Sequence, residues 1–357
     1  MPEGGTIGSV TTADPGLLRK HVARYAVADR RRAILQLLTT TLPLLASAAA
    51  LLYGVAHGIW IAAVLALPAA AFLVRLFIIQ HDCGHGSFFR SRRANNSLGL
   101  VISFMTLVPY AFWRRDHAIH HATTGNLDCR GRGDLTTLTV REYLAHPPWR
   151  KLLYRLYRHP LILLGIGPAY MLLIRYRIPR GESLRNWHDC ASIVGTNIAA
   201  TLGATAMAIT IGPVTFLLTW GAVLLLAVSI GVWLFYVQHQ FDNAYWERSE
   251  QWNFQAAALK GSSFYDLPRA LHWLSGSIGF HHIHHLASKI PNYRLRDCFD
   301  QTPEVQNVKR MTFLASIKTI RLALWDEERR QLISFRSLAQ RWRDSSSGAC
   351  LADTSNS

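Results

Sequence analysis

Acidic residues are scarce in this chain: 22 Asp and Glu stand against 38 Lys and Arg in 357 residues. That balance argues against an acidic solvating protein. Cysteines are few, and the five present (Cys83, Cys129, Cys190, Cys298, Cys350) show no paired spacing. An odd number without pairing speaks against a disulfide framework, so a reducing compartment is expected. No apolar core with a small-residue cleavage site follows the start, and no secretory signal is expected. Internal repeats of about 20–50 residues are absent as well, which excludes solenoids and propellers.

Apolar residues, by contrast, make up 50% of the chain. An apolar, basic protein either binds nucleic acid or presents cationic loops to anionic lipid and a protein partner. Here the apolar residues come in long blocks, so membrane lipid and not nucleic acid is the expected partner. A span needs ~20 mostly apolar residues. Four segments qualify: about Ala33–Tyr53, Ile59–Ile79, Ala191–Ile211 and Val214–Val237. Two shorter runs, Leu98–Trp113 and Leu161–Ile174, are expected as interfacial or buried helices. The connections Gly54–Trp60 and Gly212-Pro213 hold no Lys or Arg, whereas Arg30, Arg31, Arg32, Arg90, Arg92 and Arg93 flank the other ends. The positive-inside rule then puts both termini and the middle segment in the cytoplasm. The expected fold class is all-α: four transmembrane helices in two hairpins below a cytosolic helical cap. The expected organisation is a disordered tail over 1–19, one membrane domain over 20–343 and a disordered tail over 344–357.

The sixteen histidines cluster. The sequence reads His81-Asp-Cys-Gly-His85, then His117-Ala-Ile-His120-His121, then His281-His-Ile-His284-His285. Spacings of three and four put side chains on one helix face, so each group can aim two or three imidazoles at a common point. At this histidine frequency, H-x-x-H-H is expected about 0.03 times by chance; it occurs twice. A further histidine, His239, follows directly on the fourth span. One Zn²⁺ takes three or four protein ligands, so eight or nine imidazoles fit two metals with open positions. Asp82, Asp116 and Asp242 lie beside the histidines, and such carboxylates commonly accept the outer ring N–H of a ligand. His282 is expected in a supporting or structural role. His21, His57, His146, His159, His188 and His272 are solitary and expected to be ordinary.

These words resemble the membrane fatty acid desaturase family, with its three histidine boxes HxxxH, HxxHH and HxxHH. The run from Arg75 to Phe89 is similar to the first-box region of bacterial and cyanobacterial acyl-lipid desaturases, as are Gly125-Asn-Leu-Asp128, Gly133-Asp-Leu-Thr136 and Phe235-Tyr-Val-Gln-His-Gln-Phe241. Gly279-Phe-His-His-Ile-His-His-Leu286 with Ile290-Pro-Asn-Tyr293 is most similar to the ω-6 (Δ12) branch. The resemblance spans roughly residues 20–325. It implies two iron ions held by His81, His85, His117, His120, His121, His281, His284 and His285. His239 matches a position where relatives supply an extra histidine, although Phe235 replaces the Asn some of them carry one turn earlier. The implied reaction is O₂-dependent desaturation of a fatty acyl lipid. No His-Pro-Gly-Gly motif of a fused cytochrome b5 domain occurs, so electrons are expected from a separate ferredoxin-like or similar donor. The same scaffold serves hydroxylases and ketolases of acyl chains, alkanes or carotenoids, and a non-catalytic metal transporter is the remaining alternative. Phe88, Phe104, Tyr110, Trp113 and Trp273 are candidates to line an acyl tunnel.

Overall fold

Runs of apolar residues long enough to satisfy their own backbone become helices, the only open-ended element that lipid tolerates. The computed structural model describes residues 15–131 and 133–353. Four of its helices are long and apolar enough to cross a membrane: Arg30–Ala56, Trp60–His85, Trp187–Ile211 and Pro213–His239. They are called the first to fourth spans below. The first starts at Asp29, whose carboxylate caps the backbone N–H groups of Arg31 (2.9 Å) and Arg32 (3.1 Å). The second ends at Gly86, in the left-handed conformation that glycine adopts freely (φ 66°).

The first span shows why lipid must surround these helices. Its exposed side carries Leu35, Leu38, Leu42 and Leu45, while its buried side includes the polar Gln36 and Thr40. Water outside would require the reverse. The first span packs along the second, and the second along the fourth. The buried residues of the third span, Asp189, Ser192, Ile193 and Thr196, lie near its start. There Arg115 pairs with Asp189, and the Ala111 N–H donates to Ser192 Oγ at 3.0 Å.

Several boundaries differ from the sequence reading. The second span continues past Ile79 to His85, and the fourth past Val237 to His239. Hydropathy stops at the first polar residue, whereas the helix continues because the cap buries Gln80, His81, Gln238 and His239. The run Leu98–Trp113 is not one helix. It is split between Arg92–Thr106 and Tyr110–Thr123, which meet at 102°. Leu107 takes a left-handed φ of 56° there, and Pro109 provides no N–H to continue the ladder. Leu161–Ile174 corresponds to the helix Ile162–Arg175, bent 60° from Pro148–Tyr157. The helical cap also contains two small sheets, one of Leu138–Thr139, Leu322–Asp326 and Gln331–Ser334, the other of Phe264–Asp266 and Arg310–Thr312. Each brings together segments far apart in sequence, for which alternation over two to five residues gives no usable signal.

Of the tails expected to be disordered, residues 1–14 and 354–357 lie outside the described residues. A helix begins at Pro15 and runs to Ala23, and the last helix, Phe335–Asp353, crosses the boundary expected at 343. Leu18, Val22 and Tyr25 pack with Ile283, Leu295 and Cys298, so the N-terminal helix braces the segment that carries the third histidine box.

Candidate metal centre

Nine histidines converge on two neighbouring points. His81, His85, His117, His121 and His284 form one group, and His120, His239, His281 and His285 the other. Within each group the ligand atoms all lie within 4.8 Å of one another. The groups abut: His120 and His121 supply one each, and the rings of His121 and His285 stack at 4.2 Å.

Four helix ends deliver these rings. The end of the second span brings His81 and His85, and the last residue of the fourth brings His239. Tyr110–Thr123 carries the second box and His281–Leu286 the third. The boxes do not each aim at one point, as their spacing suggested. Residues i and i+4 are only ~40° apart around a helix, while i+3 and i+4 differ by ~100°. His117 and His121 therefore join the first group and His120 the second. His281 and His285 join the second, and His284 crosses to the first.

The nitrogen geometry fits metal ions. His121 Nε2 lies 3.1 Å from His117 Nε2 and 3.0 Å from His284 Nε2. His281 Nε2 lies 2.9 Å from His239 Nε2 and 3.0 Å from His285 Nε2. One ring nitrogen has a single proton or a single lone pair, so it cannot pair properly with two such neighbours. A shared cation satisfies all of them. Adjacent ligands at a metal–N distance of ~2.1 Å are ~3.0 Å apart in octahedral geometry and ~3.4 Å apart in tetrahedral geometry. The observed spacings match the former. His85 Nε2, buried and without a partner, is a donor atom of the first group left for the same use.

Around the rings, outer groups set the tautomers. His81 Nδ1 faces Asp82 Oδ1 at 3.1 Å, and Asp82 Oδ2 accepts from the backbone N–H (2.7 Å) and side-chain amide (2.9 Å) of Asn292. His120 Nδ1 faces Asp134 Oδ1 at 2.5 Å, with Thr124 Oγ1 at 3.1 Å. His239 Nδ1 faces the Gly261 carbonyl at 3.2 Å. In each case the outer contact at Nδ1 leaves Nε2 for the centre. Gly133 lets the loop bearing Asp134 approach: its φ is 71°, and a Cβ there would lie 3.0 Å from His120 Cβ and 3.1 Å from the Asp116 carbonyl. Burial, then the charge of neighbouring rings, holds His281, His284 and His285 well below the usual histidine range. They are neutral lone-pair donors at neutral pH, as ligands must be.

Two expected helpers are elsewhere. Asp116 pairs with Arg115 (3.7 Å) and Arg175 (3.4 Å). Asp242 is exposed, and its backbone carbonyl accepts from Leu332 at 2.7 Å. Sequence proximity to a histidine misled in both cases: Asp116 lies on the side of its helix turned to Arg115 and Arg175, and Asp242 lies in the turn past the end of the fourth span. The carboxylate that meets His120 is Asp134, on the loop after its helix. His282 is fully buried and bonds the Val305 carbonyl at 2.9 Å, and burial pushes its pKa down to about 4. The solitary histidines belong to neither group. Of the tunnel candidates, Trp113 stacks on His117 at 4.5 Å. Phe88 is core, Phe104 is exposed, the Tyr110 hydroxyl donates to the Cys83 carbonyl, and Trp273 lies under the Arg75 guanidinium. Phe235, where the extra Asn was missing, touches both His120 and His239 at about 5 Å between ring centres.

A chain with this constellation at its span ends matches the family model described as fatty acid desaturase over residues 58–311, a stretch that contains all nine histidines. A fatty acid desaturase of Bacillus subtilis is 43% identical over 333 residues, covering 90% of this chain and 91% of that one. This chain belongs to the fatty acid desaturase family. It is thus a membrane oxidoreductase of lipid metabolism. Cyanobacterial relatives match a shorter stretch. An sn-1 acyl-lipid omega-3 desaturase (ferredoxin) of Synechocystis is 34% identical over 62% of this chain and 61% of its own length. An sn-1 oleoyl-lipid 12-desaturase of Picosynechococcus is 28% identical over 64% and 65%.

Proposed function

We propose that the two histidine groups each hold one iron ion, and that the protein desaturates the acyl chain of a membrane lipid with O₂ and electrons from a separate donor. The observation that carries this reading is the convergence of nine buried or half-buried imidazoles into groups of five and four. Structural zinc is four-coordinate and closed. A five-histidine group with near-octahedral spacing suits iron, and bound iron would supply the oxidising power to break an unactivated C–H bond.

The chain's own residues prepare that chemistry. Asp82 and Asp134 hold protons on Nδ1 of His81 and His120, so that Nε2 of each faces the metal. Trp113 and Phe235 cover the rings with apolar surface and limit the approach of water. The reaction balances when O₂ takes two electrons from the donor, two protons from solvent and two hydrogen atoms from adjacent methylenes, leaving two waters and a cis or trans double bond. We assign the Δ12/ω-6 position from the third-box words; relatives bear both omega-3 and 12 in their names.

A ferredoxin-like donor is supported by the name of the Synechocystis relative. The cationic flanks of the spans would steer such an acidic partner. The same flanks, against cation-free turns, support an inner-membrane orientation with both termini and the metal centre in the cytoplasm.

Gas chromatography–mass spectrometry of lipid fatty acids tests the reading, in a bacterial host making only saturated and monounsaturated chains, with ferredoxin co-expressed. A new diene with the wild type and none with His121→Ala is the expected result, and its fragments locate the double bond. Turnover retained by His121→Ala sinks the iron assignment. A double bond at another position overturns the Δ12/ω-6 assignment alone.

A further inference from the structure

The helix Pro148–Tyr157 carries an apolar stripe that faces away from the protein. Trp149, Leu152, Leu153 and Leu156 follow the spacing i, i+3, i+4, i+7 of one face, and each is 45–58% exposed. The opposite face is fastened to the cap. The Tyr154 hydroxyl donates to the Ala323 carbonyl at 2.5 Å, and Arg155 Nε donates to the Tyr143 hydroxyl at 2.7 Å. Just past the helix, Arg158 donates to Gln240 at 2.8 Å, the residue that follows His239 at the end of the fourth span. After the 60° bend, Ile162–Arg175 packs against the fourth span itself.

A second helix repeats the pattern beside the same span end. Phe313–Thr319 exposes Phe313, Leu314 and Ile317. Its inner side is held where Tyr236 of the fourth span donates to the Thr319 carbonyl at 2.7 Å. Ser316 Oγ meets the Tyr265 hydroxyl at 3.1 Å. Exposed cations accompany both stripes: Arg150 on the first helix, Lys318 and Arg321 on and after the second.

Depth follows from length. The fourth span has 27 residues, a rise of ~40 Å against a hydrocarbon core of ~30 Å. Its last turns, where both helices attach, therefore reach the headgroup layer. Helices with an apolar outer stripe, flanking cations and aromatic residues are built to lie in that layer.

We propose that Pro148–Tyr157 and Phe313–Thr319 lie in the bilayer interface as a collar on two sides of the fourth span, binding anionic phospholipid. Trp149, Leu152, Leu153, Phe313, Leu314 and Ile317 enter the acyl boundary, and Arg150, Lys318 and Arg321 meet the phosphates. The collar fixes the height of His239, and with it both histidine groups, against the lipid surface. The inference stands on packing and exposure and does not depend on which metal is bound.

The test uses the full chain in nanodiscs of phosphatidylcholine and phosphatidylglycerol. Cys129, Cys190 and Cys350 are replaced by Ser, and an environment-sensitive fluorophore is attached through Leu153→Cys or Leu314→Cys, with Glu250→Cys as the exposed control. Shallow doxyl-labelled lipid should quench the labels at 153 and 314 at least about three-fold more than that at 250, as expected for burial of ~5–10 Å. Leu152→Cys and Ile317→Cys repeat the reading if either first variant misfolds. Labels open to aqueous iodide overturn the collar, and so does quenching at one helix only. Labels shielded from both quenchers mean that protein covers the stripes, which also overturns it. For the charges, Lys318→Gln with Arg321→Gln should lower the preference for spin-labelled phosphatidylglycerol over phosphatidylcholine by about two- to five-fold. An unchanged preference removes the anionic-lipid part of the proposal.

Discussion

Replacing Asp134 with Ala takes the carboxylate from His120 Nδ1, a contact of 2.5 Å at a ring with no solvent exposure. Without it the ring loses the acceptor that fixes its tautomer, and Nε2 no longer has a settled lone pair for the second histidine group. Outer partners of metal-binding histidines are typically worth 10–100-fold in metal affinity, or about 1.4–2.7 kcal/mol. Thr124 Oγ1, 3.1 Å from the same nitrogen, remains as a weaker partner. The expected loss is therefore near the lower end, about ten-fold. Asp134→Asn keeps an acceptor without the charge and should lose less. The assay is metal retained per chain by mass spectrometry after graded chelator treatment of purified protein. Asp242→Ala serves as control, since that residue is exposed and away from the rings. Asp134→Ala keeping metal within about two-fold of wild type would refute the reasoning, as would a larger loss in Asp242→Ala.

Other perturbations read other parts of the structure. Asn292→Ala removes the side-chain donor to Asp82 Oδ2, keeps the backbone N–H that also donates there, and takes the acceptor from the buried Gln36 amide, at a cost of about 1–3 kcal/mol; lowered thermal stability together with weakened metal retention is expected, and retention unchanged would separate the Asn292 side chain from His81. His85→Ala and His239→Ala each strip one ligand atom from a different group, so each should release one metal site while leaving the other; metal-to-protein ratios that fall equally to zero would show a single cooperative centre. His282→Ala loses the bond to the Val305 carbonyl and should lower the melting temperature while metal stays bound; loss of metal at unchanged stability would make it a ligand. Gly99→Ala drives a methyl into the Tyr110 ring, which is pinned through its hydroxyl to the Cys83 carbonyl; overpacking of about 1–3 kcal/mol should appear as a lower melting temperature in detergent, and Gly99→Ala as stable as wild type would mean that the bend yields freely.

The sequence by itself determined what depends on local order. Blocks of apolar residues longer than the bilayer core define four spans wherever they are placed, and the three histidine words name the donors, because spacings of three and four repeat on any helix. Even the family was legible, since its boxes are words of a few adjacent residues. Tertiary structure decided what depends on residues far apart in the chain. The division of the rings into groups of five and four depends on how the span ends and two cap helices meet, which no spacing encodes. Asp134 reaches His120 only because Gly133 lets the loop fold back, while Asp116 and Asp242, closer to histidines in sequence, point elsewhere. Asn292 joins Asp82 across the fold between the third box and the second span. The break at Pro109 was readable as a proline, yet its 102° angle was not, because packing on the second and third spans sets it. Periodicity reports which face of a helix is apolar; only the assembled fold reports whether that face meets protein or lipid.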